Sequence, residues 1–309
     1  MSYSIHTPLI QSAPLSAIAN TNVFAKMDAL QPSGSFKMRG IGYAAEQMVA
    51  RGTGRFVSSS GGNAGLAVAY AGRKMNLPVL VVVPETTPER AIALLRAENA
   101  KVIVHGASWV EANALAQSQL GDSDAFFHPF DDPLLWQGHA TLVDEVIADG
   151  LRPEAVILSV GGGGLLAGVH HGLLRHDLHN IPVYAVETHG MASYQAAIDA
   201  GGPVTLDSVS GVATSLGAKQ VCQQAYEIAQ THKVRTIQVS DSEAVEACFS
   251  FLDDHRVLVE PACGAALAAI YSNKIDLRPY KSVLMVVCGG STTPLATLSQ
   301  YKQAIKNGQ

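Results

Sequence analysis

The sequence predicts an α/β fold in which mainly parallel sheets are covered by helices, and two observations carry that expectation. Short, unbroken apolar runs rich in β-branched residues recur along nearly the whole chain. Between them lie longer segments whose apolar residues repeat at helical spacing. Strands that are apolar on both faces and separated by helices belong to parallel sheets buried between helical layers.

In chain order the strand runs are Val23–Met27, Phe56–Ser58, Val79–Val83, Val102–Val104, Val156–Val160, Val183–Val186, Ile237–Val239 and Val283–Val287. Helical patterns leave Gln31–Gly40 toward Val49 and cover Ala64–Met75, Glu89–Glu98, Val110–Gln117, Leu134–Ile147, Leu165–Leu174 and Glu243–Leu252. No repeat, low-complexity tract, charge block or linker interrupts the alternation, so a division into domains would have to be interwoven.

Composition narrows the function. Of 309 residues, 48% are hydrophobic and 15% charged, below the roughly 25% charged of ordinary soluble domains. Much of the chain is therefore interior or interface, and an oligomer is expected. A net charge of −5 without a Lys/Arg cluster offers no footprint for nucleic acid. No stretch is long enough to span a bilayer, and Pro8, Gln11 and Pro14 break up the N-terminal apolar residues. The cysteines, Cys222, Cys248, Cys263 and Cys288, show neither metal-type spacing nor a disulfide framework. A reduced, cytoplasmic enzyme follows. His6, His139 and His189 lack ligand spacing, so zinc is not expected.

Ligand crevices of α/β sheets lie beyond the carboxyl ends of strands, and four loops there hold candidate chemistry. In Gln31-Pro32-Ser33-Gly34-Ser35-Phe36-Lys37, Pro32 and Gly34 mark a tight turn and Ser33 or Ser35 is placed to cap the next helix. Lys37 then stands near that helix's N-terminus, where the dipole disfavours an ammonium and lowers its pKa. An easily deprotonated lysine suits Schiff-base chemistry; an ordinary solvated lysine beside a capped turn fits the same residues. Ser58-Ser59-Ser60-Gly61-Gly62-Asn63-Ala64-Gly65 precedes a helix and could hold a carboxylate, or Asn63 could simply cap. Gly161-Gly162-Gly163-Gly164-Leu165 is costly in chain entropy and points to a phosphate. It also matches a dinucleotide fingerprint, Gly162-x-Gly164-x-x-Ala167, with Glu187 where a ribose-binding acid belongs. Cys288-Gly289-Gly290-Ser291 follows the last strand; its thiol is either a small core residue or a partner for a ring nitrogen. Asp132 reads as a helix cap, and Pro261 after Glu260 as a helix start.

Together these loops resemble the fold type II pyridoxal-phosphate enzymes, and within them the short serine/threonine dehydratases (deaminases) that lack a regulatory domain. The resemblance runs through Gln31–Gly40, Ser58–Gly65, Pro129–His139, Ser159–Leu165, Val186–Gly190, Glu260–Ala266 and Val287–Ser291. It implies two open, twisted, mainly parallel sheets of the tryptophan synthase β type. A large cofactor domain (1–38 and 132–309) would then carry a smaller inserted domain (39–131) that closes over substrate. By position, Lys37 is implied to hold pyridoxal phosphate and, once freed, to act as general base. Gly161, Gly162, Gly163, Gly164 and Leu165 are implied to hold the phosphate, Asn63 the ring hydroxyl, Phe36 the ring face and Cys288 the ring nitrogen. Ser60, Gly61 and Asn63 match a substrate-carboxylate loop. Glu187, with carbonyls near Met191, Leu216 and Ala218, matches a site for K⁺ or another monovalent cation.

The resemblance further implies a homodimer and β-elimination from an amino acid, giving pyruvate from L-serine or 2-oxobutanoate from L-threonine, with ammonia. Gly61 departs from the alanine of other short dehydratases and from the serine of related racemases. The rival readings are a β-replacement synthase, a racemase, an NAD-dependent dehydrogenase and a silent cofactor-binding homologue.

Overall fold

A computed structural model describes residues 3–307. Ten strands and twelve helices form among them. The strands are β1 (Leu9–Gln11), β2 (Asn22–Lys26), β3 (Arg55–Ser58), β4 (Val79–Val83), β5 (Lys101–Val104), β6 (Asp124–Phe127), β7 (Ala155–Ser159), β8 (Val183–Thr188), β9 (Val234–Val239) and β10 (Ser282–Val286). The helices are α1 (Ala13–Ala19), α2 (Lys37–Ala50), α3 (Asn63–Met75), α4 (Glu89–Ala97), α5 (Trp109–Ser118), α6 (Pro133–Ala148), α7 (Gly164–Arg175), α8 (Ser193–Ala200), α9 (Gln223–Thr231), α10 (Asp241–His255), α11 (Pro261–Tyr271) and α12 (Leu295–Lys306).

Two sheets result. Six strands run in the order β1-β2-β10-β7-β8-β9, parallel except for β1 at the edge. Four parallel strands run β5-β4-β3-β6. In the larger sheet Val283 of β10 pairs with Val23 on one side and Ala155 on the other, so both ends of the chain share one core. All residues of β4, β7 and β8 are buried, as the apolar runs Val79–Val83, Ala155–Leu158 and Val183–Val186 require. All eight strands read from the sequence form. Leu9–Gln11 and Asp124–Phe127 are additional: the first is a short, largely exposed edge, the second a four-residue strand that opens on an acid.

Helix ends follow local chemistry. Asp132 caps α6, accepting from Leu134 N at 2.7 Å, and Pro133 occupies the first turn. Ser240 and Glu243 form a reciprocal capping box on α10. On the large sheet α6 and α7 lie together, separated by almost no side chain at Gly172. A Cβ there would stand 2.6 Å from Val143 Cβ and 2.8 Å from Ala140 O. Gly172→Ala is expected to cost about 1–3 kcal/mol by overpacking, read as a lower urea midpoint with an unchanged m-value.

Candidate active site

Lys37 opens α2. Neither serine of the preceding turn caps the helix, contrary to the expectation from sequence: Phe36 is the cap residue and makes no side-chain capping bond. The hydroxyls of Ser33 and Ser35 are buried without a hydrogen-bond partner. The turn is held by its neighbour in space. Phe36 N donates to Cys288 O at 3.0 Å and Gly290 N to Gly34 O at 2.8 Å. Ser291 Oγ donates to Ser33 O at 3.0 Å. Backbone pairing with the 288–291 loop therefore replaces the cap.

The Lys37 ammonium donates to the carbonyl of Pro129 and lies 5.0 Å from the centre of the Phe36 ring. Its pKa is lowered to about 8, and the cause differs from the one expected. Burial of the amine dominates, while Cys288, Glu260 and Cys222 pull the other way. Beyond Phe36, at 4.9 Å between ring centres, is the buried imidazole of His139. Burial first, then the charges of Lys37 and Arg39, hold that imidazole well below its usual pKa.

The glycine loop joins β7 to α7, whose N-terminus carries no side-chain cap. The need for glycine comes partly from packing. Phe130, next to the carbonyl that holds Lys37, lies against Gly162 and Gly164. A Cβ at either would fall 2.3 Å from its ring or 2.6 Å from its carbonyl oxygen. Gly163 has φ +92° and would meet Ala225 at 2.5 Å, while Gly161 lies against the backbone of Leu216. So the bare loop that would admit a phosphate is also the only one that fits beneath Phe130 and Leu216. The serine loop leads from β3 into α3. Ser60 Oγ accepts from Gly62 N at 3.3 Å, and Asn63 begins the helix that Gly62 caps. A Cβ on Gly61 would come 2.7 Å from Thr87 Cγ2, so Thr87 occupies the space a side chain would need.

Asn63 does more than begin a helix. Its Nδ2 donates to Glu260 Oε1 at 2.7 Å and to Ser215 Oγ at 3.3 Å, and its Oδ1 accepts from Ser291 N at 3.0 Å. Glu260 is the residue that sequence reasoning missed. It sits at the cap position of α11 yet makes no capping bond with its side chain. Instead the carboxylate also accepts from Thr292 Oγ1 at 2.9 Å. Burial raises its pKa against the hydrogen bonds from Ser215, Thr292 and Asn63. An acid before a proline was visible in the sequence, but the helix start explained it too easily.

Cys288 is buried beside Cys263. The neighbouring Cys263 thiol first, then burial, pushes its pKa well above the usual value, so the thiol is neutral. Glu187 is fully buried at the end of β8. Its Oε1 accepts from Tyr194 N at 2.8 Å and its Oε2 from Gln195 N at 2.9 Å. Burial raises its pKa to about 7. Met191 N donates to Thr188 O, and Ala218 N to Leu216 O. No group of three or more His, Cys, Asp or Glu among the described residues forms a metal site.

The geometry thus gathers a desolvated lysine, an uncapped helix N-terminus behind bare glycines, and a neutral thiol. Residues 3–289 match the family model described as pyridoxal-phosphate dependent enzyme. The chain belongs to that family. An L-serine dehydratase of Dictyostelium discoideum is 41% identical, over 97% of this chain and 92% of its own length. An L-serine dehydratase/L-threonine deaminase of Homo sapiens is 45% identical, over 97% and 95%. The solved structure of a fungal L-serine ammonia-lyase from Rhizomucor miehei superposes with a TM-score of 0.92 at 39% identity, covering 98% of this chain and 99% of that one. The family membership displaces the nicotinamide reading of Gly162, Gly164 and Glu187.

The residues fit pyridoxal phosphate. The α7 N-terminus lacks a side-chain cap, as an anion-binding helix end should. A lysine at about 8 is poised for reaction with an aldehyde, and a neutral thiol suits an unprotonated pyridine nitrogen.

Proposed function

We propose that this chain is a pyridoxal-phosphate-dependent ammonia-lyase acting on L-serine, with L-threonine as a second substrate. The products are pyruvate or 2-oxobutanoate, with ammonia. The observation that carries the reading is the neutral Cys288 thiol, held by Cys263 and by burial, in a site that also contains the desolvated Lys37. An aspartate in that place would keep a pyridine nitrogen protonated and favour transamination. A thiol does not, so loss of the β-hydroxyl competes better. The names and near-complete coverage of the relatives support the same choice.

Lys37 would anchor the cofactor aldehyde, the backbone of Gly161 to Leu165 would hold its phosphate, Asn63 its ring hydroxyl, Phe36 its face and Cys288 its ring nitrogen. When bound, the cofactor delocalises the electron pair left on the substrate Cα after proton loss. Ser60, Gly61 and Asn63 take the substrate carboxylate at the α3 N-terminus, where an anion is favoured. The freed Lys37 amine removes the Cα proton as general base. The β-hydroxyl would leave Cβ as water, the proton it needs balanced by the one Lys37 takes from Cα, and hydrolysis then yields the 2-oxo acid and ammonia. Gly61 offers no hydroxyl to protonate the opposite face of Cα, so racemisation is slow. Residues 39–131, which carry the four-stranded sheet, form a small domain that closes over substrate; residues 1–38 and 132–309 form the large one. Glu187 with carbonyls of Met191, Leu216 and Ala218 takes a monovalent cation, and the enzyme works as a cytoplasmic homodimer.

The test is a product balance. Protein supplied with pyridoxal phosphate and L-serine is expected to release pyruvate and ammonia in equal amounts. D-serine without pyruvate would mean a racemase, a thiol adduct a synthase, and a visible cofactor band without any product a silent homologue.

A further inference from the structure

Glu260 is left without a role by the reaction just described, yet it is a buried carboxylate inside the site. Every group that contacts it does so as a donor. Asn63 Nδ2 stands 2.7 Å from Oε1, Thr292 Oγ1 2.9 Å from Oε2, and Ser215 supplies a further hydrogen bond. These partners come from three separate places: the start of α3 beside the four-stranded sheet, the loop after β10, and the turn Thr214–Leu216.

We propose that Glu260 is a positioning residue that acts through Asn63, a role that rests on the assignment of Asn63 to the cofactor's ring hydroxyl. A side-chain amide can turn end for end at little cost in shape. Here it cannot. The Glu260 carboxyl oxygens accept from Asn63 and from Thr292, so the amide NH₂ faces Glu260. The amide of Ser291 only donates, so the oxygen must face Ser291, 3.0 Å away. One Nδ2 hydrogen is committed to Glu260. The other makes only the long 3.3 Å contact to Ser215 Oγ and is the one available to a ring oxygen. Glu260 thereby makes Asn63 a donor to that oxygen and never an acceptor, which favours the oxygen's ionised form. Through the same amide it links the start of α3 to the loop that carries Cys288.

Glu260→Gln keeps the shape but presents a group that donates as well as accepts, so the Asn63 amide is released to turn. With wild type, Glu260→Gln, Asn63→Ala and the double variant each loaded with pyridoxal phosphate, the absorption spectrum is read without substrate, and kcat and KM are then measured with L-serine. Glu260→Gln is expected to move intensity from the visible band to the near-ultraviolet band and to lower kcat about tenfold, with a smaller change in KM. Asn63→Ala is expected to reproduce the spectral change, and adding Glu260→Gln to it to change spectrum and kcat less than about twofold. Unchanged spectrum and kcat in Glu260→Gln overturn the proposal, as does a full further loss in the Asn63→Ala background. Should Glu260→Gln not fold, an unchanged spectrum in Asn63→Ala alone is enough to overturn it. Spectra that respond in protein that forms no pyruvate would defeat the dehydratase reading and leave the role of Glu260 standing.

Discussion

Lys37→Ala is expected to purify without the visible cofactor band and to form pyruvate at least ~10³-fold more slowly than wild type. Both losses are expected from one amine, which in the proposed reaction would anchor the cofactor and move the Cα proton. The structure adds a pH dependence to the first. With a pKa of about 8, about a tenth of the lysines are neutral at pH 7 and about nine tenths at pH 9. An unperturbed lysine would be neutral in only about one molecule in three thousand at pH 7. Only the neutral amine attacks an aldehyde. The rate at which cofactor-free protein gains the visible band should therefore rise with pH from 7 to 9 and then level off. A rate still climbing steeply above pH 10 would mean that Lys37 is not desolvated, and a normal band in Lys37→Ala would remove it from the site.

What the sequence made legible was the part of the fold with regular solvation. Strands buried on both faces must be apolar throughout, and Val79–Val83 or Val156–Val160 could hardly be anything else. Leu9–Gln11 escaped because an edge strand of three residues has no such obligation, and α1 because Pro14 and a short length hide it. In the site, Lys37 and the glycine loop were legible as types at strand ends. The reasons behind them were not. The lysine's shift comes mainly from burial among groups far along the chain, and the glycines must clear Phe130 as well as any phosphate. Glu260 and Asn63 are 197 positions apart, and no local pattern announces a bond of that span. The Cys263–Cys288 pair is hidden the same way: the spacing is that of no motif, and only the packing of α11 against the end of β10 joins them.

The largest loss of stability is expected from Arg39→Ala. Two residues after Lys37, the Arg39 guanidinium is fully buried between two carboxylates. It grips Asp28 through Nε and Nη2 at 2.7 and 2.8 Å, and Glu145 through Nη1 and Nη2 at 2.7 Å each. Thr7 and Thr141 hydroxyls complete the shell at 3.0 and 3.2 Å. Burial works against both kinds of charge here. For Glu145 it is outweighed by hydrogen bonds from Arg39 and Lys26, which hold the carboxyl below its ordinary pKa. Removing the guanidinium leaves Asp28, with no exposed side-chain surface, facing only Thr7. Breaking a buried pair in this way costs about 3–5 kcal/mol, or on the order of 10 °C in Tm. Arg39→Lys should recover less than half, because an ammonium is a point charge and cannot make two forked contacts at once. Since α2 is tied through Arg39 to the 28–30 turn and to α6, the loss should also loosen the start of the helix where Lys37 stands. Thermal melts of the three proteins, with the cofactor band followed in parallel, would show it. A Tm within about 2 °C of wild type for Arg39→Ala would mean that solvent reaches Asp28 and that the network contributes little.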